Sequence, residues 1–120
     1  MIQARKLTPG LSSYSTTEQD TGITWVDGKK IYKKTLSIGG GLTKPNKTVA
    51  HGISNMDMCV ECEAFSVANN VYRRFPYANT SLSVLGYVMA EVDRTNVSIY
   101  TAEDRPTWHV FATLYYTKTA

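Results

Sequence analysis

Cys59 and Cys62 stand three apart as C-x-x-C, a spacing used by redox dithiols and by half of many zinc sites. The run Met58–Val67 around them alternates like a strand. Residues three apart on a regular strand face opposite sides and lie about 10 Å apart, beyond the roughly 7 Å between Cα atoms that a disulfide tolerates. Zinc needs further ligands, and His51 and His109 are the only histidines. Both cysteines are therefore expected to be structural, with no metal and no cofactor.

Glu61 and Glu63 share a strand face about 7 Å apart, a separation that paired-carboxylate glycosidases can use. Adjacent same-face carboxylates on a strand are more often solvated, and no G-x-S-x-G or cysteine–base pair accompanies them. Asp57, Glu103 and Asp104 show no regular oxygen-ligand spacing for calcium. His51 has no partner group in sequence, so a structural role is expected. The chain is read as non-enzymatic.

Binding chemistry is the better fit. Eight tyrosines and two tryptophans offer flat apolar faces with polar tips. Tyr100, Glu103, Asp104, Arg105, Trp108 and His109 gather around one turn and supply stacking area, carboxylates and a guanidinium. Val71 to Tyr77 holds a second aromatic and basic patch of Tyr72, Arg73, Arg74, Phe75 and Tyr77, from which Tyr72, Arg73 and Tyr77 are taken as contacts. These nine residues are the candidate contacts for a glycan or a host surface. The competing structural reading makes Trp108 core and the loop merely solvated.

The elements that must position these groups are strands. Asp27-Gly28 between Thr24-Trp25-Val26 and Ile31-Tyr32 is a hairpin signal, since a tight turn needs φ > 0. Tyr32, Leu36 and Ile38 fall on one face, and Gly39-Gly40-Gly41 is expected to end that strand. Thr48–Ile53 follows, then Ser54-Asn55 as a turn and the cysteine strand, closed by Asn69-Asn70. Pro76 argues against a central strand at Tyr72–Tyr77. Ser83–Val92 is apolar on both faces for most of its length. Asp93-Arg94-Thr95-Asn96 turns into Val97–Thr101. In Thr107–Lys118, Trp108, Val110, Ala112, Leu114 and Tyr116 line one face, and His109, Phe111, Thr113 and Tyr115 the other.

About seven to eight short strands, with turns between them and no amphipathic helix, predict an all-β fold: an antiparallel, jelly-roll-like β-sandwich over residues 23–120. Residues 1–22, rich in Ser, Thr, Gly and Gln, read as an extended N-terminal arm. Apolar residues on both faces of two strands suggest a partner surface, most simply a symmetric homo-oligomer.

Composition narrows the function further. The 120 residues carry a net charge of +3, 42% hydrophobic and 19% charged residues, which fits one folded domain. Lys29, Lys30, Lys33 and Lys34 are the only close cluster of cations. Strand alternation splits Lys33 from Lys34, so they are expected to be solubilising charges and no nucleic-acid partner is expected. No apolar run reaches membrane-spanning length, so no membrane insertion is expected, and no signal peptide is legible at the start.

Several segments resemble phage virion proteins. Tyr14-Ser15-Thr16-Thr17-Glu18-Gln19, Gly22 and Trp25-Val26-Asp27-Gly28-Lys29-Lys30-Ile31-Tyr32-Lys33-Lys34-Thr35 are similar to a "YSTTEQ…G.WIDGKPIY.KT" pattern. Val49-Ala50-His51-Gly52-Ile53, Asp93-Arg94-Thr95-Asn96-Val97 and Leu114-Tyr115-Tyr116-Thr117-Lys118-Thr119 extend the match across most of residues 14–119. Lys30 departs from the pattern, which usually has Pro there. The resemblance implies a bacteriophage surface-appendage domain of tail fibre, baseplate or capsid fibre type. It implies a homotrimer, made in the host bacterial cytoplasm and carried on the virion among other virion proteins, and it transfers no catalytic residue. The leading expectation is a module contacting the host envelope. The alternative is a capsid decoration or head-fibre protein anchored by the arm at 1–22.

Overall fold

The computed structural model describes residues 14–78 and 87–119. The described residues form nine strands and no helix: β1 (Gln19–Thr24), β2 (Lys30–Leu42), β3 (Asn46–Ala50), β4 (Met56–Ala68), β5 (Val71–Arg74), β6 (Tyr77–Ala78), β7 (Tyr87–Val92), β8 (Asn96–Thr101) and β9 (Arg105–Lys118). They make two sheets with every pairing antiparallel, a five-stranded one ordered β1-β2-β9-β4-β5 and a four-stranded one ordered β3-β8-β7-β6. No described helix is long and apolar enough to cross a membrane.

The turns follow from local chemistry. Gly28 takes φ 87° and donates to the Trp25 carbonyl at 2.9 Å, closing the β1–β2 hairpin. Asn69 and Asn70 both have positive φ and join β4 to β5 in two residues. The Asp93 carboxylate accepts from the Thr95 and Asn96 amides at 2.8 and 2.7 Å, which turns β7 into β8.

β9 is the centre of the five-stranded sheet, and its alternation is as the sequence suggests. Val110, Ala112, Leu114 and Tyr116 are fully buried. They join Ile38 and Leu42 from β2, Val88 from β7, and Val97 and Ile99 from β8 in one apolar cluster fed by both sheets. Complete burial of a Leu or Val contributes about 1.5–3 kcal/mol, so this stripe adds several kcal/mol of cohesion.

Four expectations are corrected. First, Gly39-Gly40-Gly41 does not end the strand, because β2 runs on to Leu42 with register shifts at Ser37/Gly39 and Gly40/Leu42. Gly39 and Gly41 take positive φ at these bulges, and a Cβ on Gly41 would lie 3.3 Å from the Pro106 carbonyl oxygen. The Lys47 ammonium bonds the Gly40 and Gly41 carbonyls at 3.4 and 3.2 Å. Second, Lys33 and Lys34 do split across β2, but neither is a free surface charge. Lys33 is buried with its ammonium 4.2 Å from the centre of the Tyr14 ring, and Lys34 donates to the His51 carbonyl at 2.7 Å.

Third, the boundary at residue 22 falls inside β1. The Ser15 carbonyl accepts from the Thr35 amide at 2.9 Å, and Thr21 is buried with its hydroxyl on the Ile31 carbonyl at 2.7 Å. Glu18 takes a 2.7 Å bond from the Tyr116 hydroxyl and a 2.9 Å bond from the Lys118 ammonium. The remainder of the expected arm, residues 1–13, lies outside the described residues.

Fourth, the cysteines do not face opposite sides. Cys59 pairs with Tyr116 and Cys62 with Leu114, two residues apart on β9, because β4 carries a bulge between Cys59 and Glu61. One extra residue turns an odd spacing into an even one. Both thiols pack against the core and are free. The expected strand Ser83–Val92 is described only from Tyr87 onward, as β7.

Candidate functional site

The outward face of the five-stranded sheet is organised in rows by the register of its three central strands. Lys33, Tyr115 and Glu61 form one row, and Thr35, Thr113 and Glu63 the next. Ser37, Phe111 and Phe65 form the third, continued on β5 by Arg74. Gly40, His109 and Val67 form the fourth, continued by Tyr72. Rows on one face repeat at about 7 Å along the strands, and neighbours within a row are about 5 Å apart.

A cleft of about 440 Å³ lies over the second and third rows, walled by Tyr14, Phe65 and Phe111 and floored by Thr35, Thr113 and Glu63, with Arg74 at its rim. The Phe65 and Phe111 rings stack with centroids 5.6 Å apart, and His109 tilts onto Phe111 at 4.7 Å. The polar groups are already oriented. The Tyr115 hydroxyl donates to Glu63 Oε1 at 3.1 Å, Arg74 Nη2 lies 3.8 Å from Glu63 Oε2, and the Thr35 and Thr113 hydroxyls share a 2.9 Å bond. Ser37 Oγ and His109 Nε2 are 2.9 Å apart.

Electrostatics on this face are balanced. Burial pushes the Tyr115 phenol up, and the Glu63 carboxylate that accepts its proton adds to the effect. Burial holds the Lys33 ammonium below its ordinary value, against the attraction of Glu63. Arg74 is 79% exposed, so its pairing with Glu63 lies at the open side of the face.

The sequence-derived candidates divide. Arg105 and Trp108 are buried, and the Trp108 ring lies against the guanidiniums of Arg105 at 4.4 Å and Arg73 at 5.0 Å, with Phe75 stacked at 6.5 Å. Glu103 serves this stack from 3.6 Å of Arg105 Nη1, and its carbonyl accepts from Thr101. Asp104 fastens the loop by accepting from the Lys44 amide at 2.9 Å. Tyr100 lies opposite Met89 and Asn46 in the four-stranded sheet, away from His109. Only His109 and Tyr72 reach the cleft face, as members of its fourth row. Tyr77 pairs with Val88 in β6. The expected cluster around one turn is thus a capped end of the core plus a pinned loop.

Tyr14, Thr35, Phe65, Phe111 and Thr113 are missed as a site, while Glu63 is weighed only as one of a carboxylate pair and Arg74 stands in the Tyr72–Tyr77 patch. The alternation of β9 marks the outer set in sequence, but only the pairing with β2 and β4 shows what stands beside it.

His51 is structural: its Nδ1 accepts from the Ile53 amide at 3.1 Å, so Nε2 donates to the Asp93 carbonyl at 2.9 Å. Burial raises both thiols, with Cys62 pushed up to about 12, and the neighbouring Cys59 and Glu63 add to that shift. These thiols stay neutral, which suits packing rather than nucleophilic or metal chemistry. No group of three or more His, Cys, Asp or Glu among the described residues could hold a metal ion. No protein-family model, no curated protein and no solved structure matches this chain.

Proposed function

We propose that the chain is a structural, non-catalytic module of a phage virion, displayed on the particle and contacting the host envelope through the outward face of its five-stranded sheet. The observation that carries this reading is the preformed cleft between the Phe65–Phe111 stack and the Glu63–Thr113 row. Recognition surfaces favour aromatic area with oriented polar groups on a rigid support. The segment resemblance across residues 14–119 supplies the virion context.

In this reading the two sheets pack as a jelly-roll-like β-sandwich. Support comes from the shared core and from the chain crossing between sheets at β2–β3, β3–β4, β5–β6 and β8–β9. A homotrimer would leave the cleft face outward and join copies elsewhere. Capsid anchoring by residues 1–22 fits less well, because residues 15–21 are fastened to β2 and β9.

Immunogold labelling of particles, paired with adsorption of the purified chain to host cells, tests the reading. Label at the tail tip with saturable adsorption is expected. Label over the capsid without adsorption would transfer the role to decoration, and an unlabelled particle would remove the virion assignment.

A further inference from the structure

We infer that the cleft over the second and third rows is a saccharide site for a neutral hexopyranose unit, stacked on Phe65 and Phe111 and held by Glu63, Arg74 and the Thr35–Thr113 pair. The inference rests on the reading of this face as the contact surface and adds the ligand class.

Position in the sheet excludes a peptide added as a strand. The cleft is centred on β9, whose backbone groups are engaged by β2 on one side and by β4 on the other. Strand addition needs a free edge. Recognition here can only use side chains standing off the face.

Those side chains come in two adjacent rows of different character. The third row centres on the Phe65 and Phe111 rings, and the second is made of hydroxyls and a carboxylate. A pyranose has the same division, with axial C–H groups forming a flat apolar face and hydroxyls around its edge. A row step of about 7 Å lets one ring cover Phe65 and Phe111 while its edge reaches the second row. The Thr35–Thr113 pair uses one of its two hydroxyl protons internally, leaving one proton and spare lone pairs for a sugar hydroxyl. Glu63 accepts, and Arg74 donates from the rim.

Charge decides between sugar types. Glu61 and Glu63 stand on this face, Arg74 is drawn towards Glu63, and Lys33 is covered by Tyr14. The described residues lining the cleft present no unopposed cation to a sialic acid, a uronic acid or a phosphate. The volume of about 440 Å³ lies within the range of small-ligand pockets.

The test is an amide-shift NMR titration of the full chain with the methyl glycosides of glucose, galactose and mannose and their linear trisaccharides, run beside the cell-adsorption assay. At least one neutral glycoside should shift the amides of residues 35, 63, 65, 111 and 113, with a Kd of about 1 mM, tighter for the trisaccharide. Arg74→Ala, at a solvent-exposed position, should weaken binding about fivefold, and Phe111→Leu, which keeps apolar bulk but loses the ring face, about tenfold. If no neutral glycoside binds, or if shifts centre on Tyr100 or Trp108, the saccharide assignment is overturned. Continued adsorption that Arg74→Ala weakens would then leave the contact face standing. Adsorption unaffected by either variant would overturn the contact face as well.

Discussion

The two faces of β9 use similar residues to opposite ends. Inward, Trp108 and Tyr116 are buried and engaged by their neighbours: Trp108 against two guanidiniums, Tyr116 against Tyr32 with its hydroxyl on Glu18. Outward, Phe111 and Tyr115 are engaged from the side, by Phe65, His109 and Glu63, and the space above Phe111 is open. Aromatic content therefore does not locate a binding surface. What separates the faces is whether a second layer stands over the rings.

The sharpest way to break this contrast is to truncate one residue on each side. Leu114→Ala should cost about 2–5 kcal/mol, because it opens a cavity in a closed core. Phe65→Ala, at a half-exposed position, should cost about 1 kcal/mol while abolishing ligand binding. Urea denaturation measures both, and equal losses would mean that the outward face is also core.

Next in size is the tie between the chain's beginning and end. Tyr116→Phe should cost about 1–2 kcal/mol, since it leaves a carboxylate short of one charge-assisted bond near a partly open surface. Glu18→Gln should cost a similar amount, and the double variant less than the sum of the two singles.

The same carboxylate gives a pH dependence with a definite sign. Burial raises the Glu18 pKa, but the bonds from Tyr116 and Lys118 outweigh it and the net value lies below the ordinary 4.5. Its stabilisation is complete above about pH 4.5 and is lost as pH falls through the folded value. Thermal melts from pH 6 to 3 should fall more steeply for the parent chain than for Glu18→Gln. Parallel curves would show that the tie carries no linkage.

The opposite sign applies to Cys62, whose folded value of about 12 lies above the ordinary 9. Its contribution is complete below about pH 9 and is lost as pH rises. Alkylation of the native chain at pH 8 should therefore be slow at Cys62 and become rapid in urea. Rapid native labelling would mean that the thiol is not held in the core. The smallest expected effect is at Lys29, whose ammonium lies 2.7 Å from Asp57 but remains exposed: Lys29→Ala should leave the urea midpoint unmoved.

Features that depend on a few neighbouring residues are legible in the amino-acid sequence. The Asp27-Gly28 and Asn69-Asn70 turns, the Asp93 turn and the alternation of β9 are of this kind, because their causes lie within a handful of residues. The Cys59–Glu61 bulge is not legible there, since it is set by which residues of β9 stand opposite, about 55 positions away. The burial of Lys33 is hidden for the same reason: Tyr14 is distant in sequence and only the sheet brings it over the ammonium. The cleft is half visible, as one face of one strand whose neighbours the sequence does not name.

The bulges have a further consequence. Those of β2 fall opposite the start of β9, beside residues 105–111, and those of β4 fall opposite its end, beside residues 115–118. Between them, from Phe111 to Tyr115, all three strands run in unbroken step. Extra twist is thus confined to the two ends, and the middle is a platform of constant pitch. Side chains at positions 35, 63, 65, 111 and 113 can be exchanged there without altering which residues pair beneath them. A surface of this kind can change its specificity by substitution alone, while the scaffold that carries it stays the same.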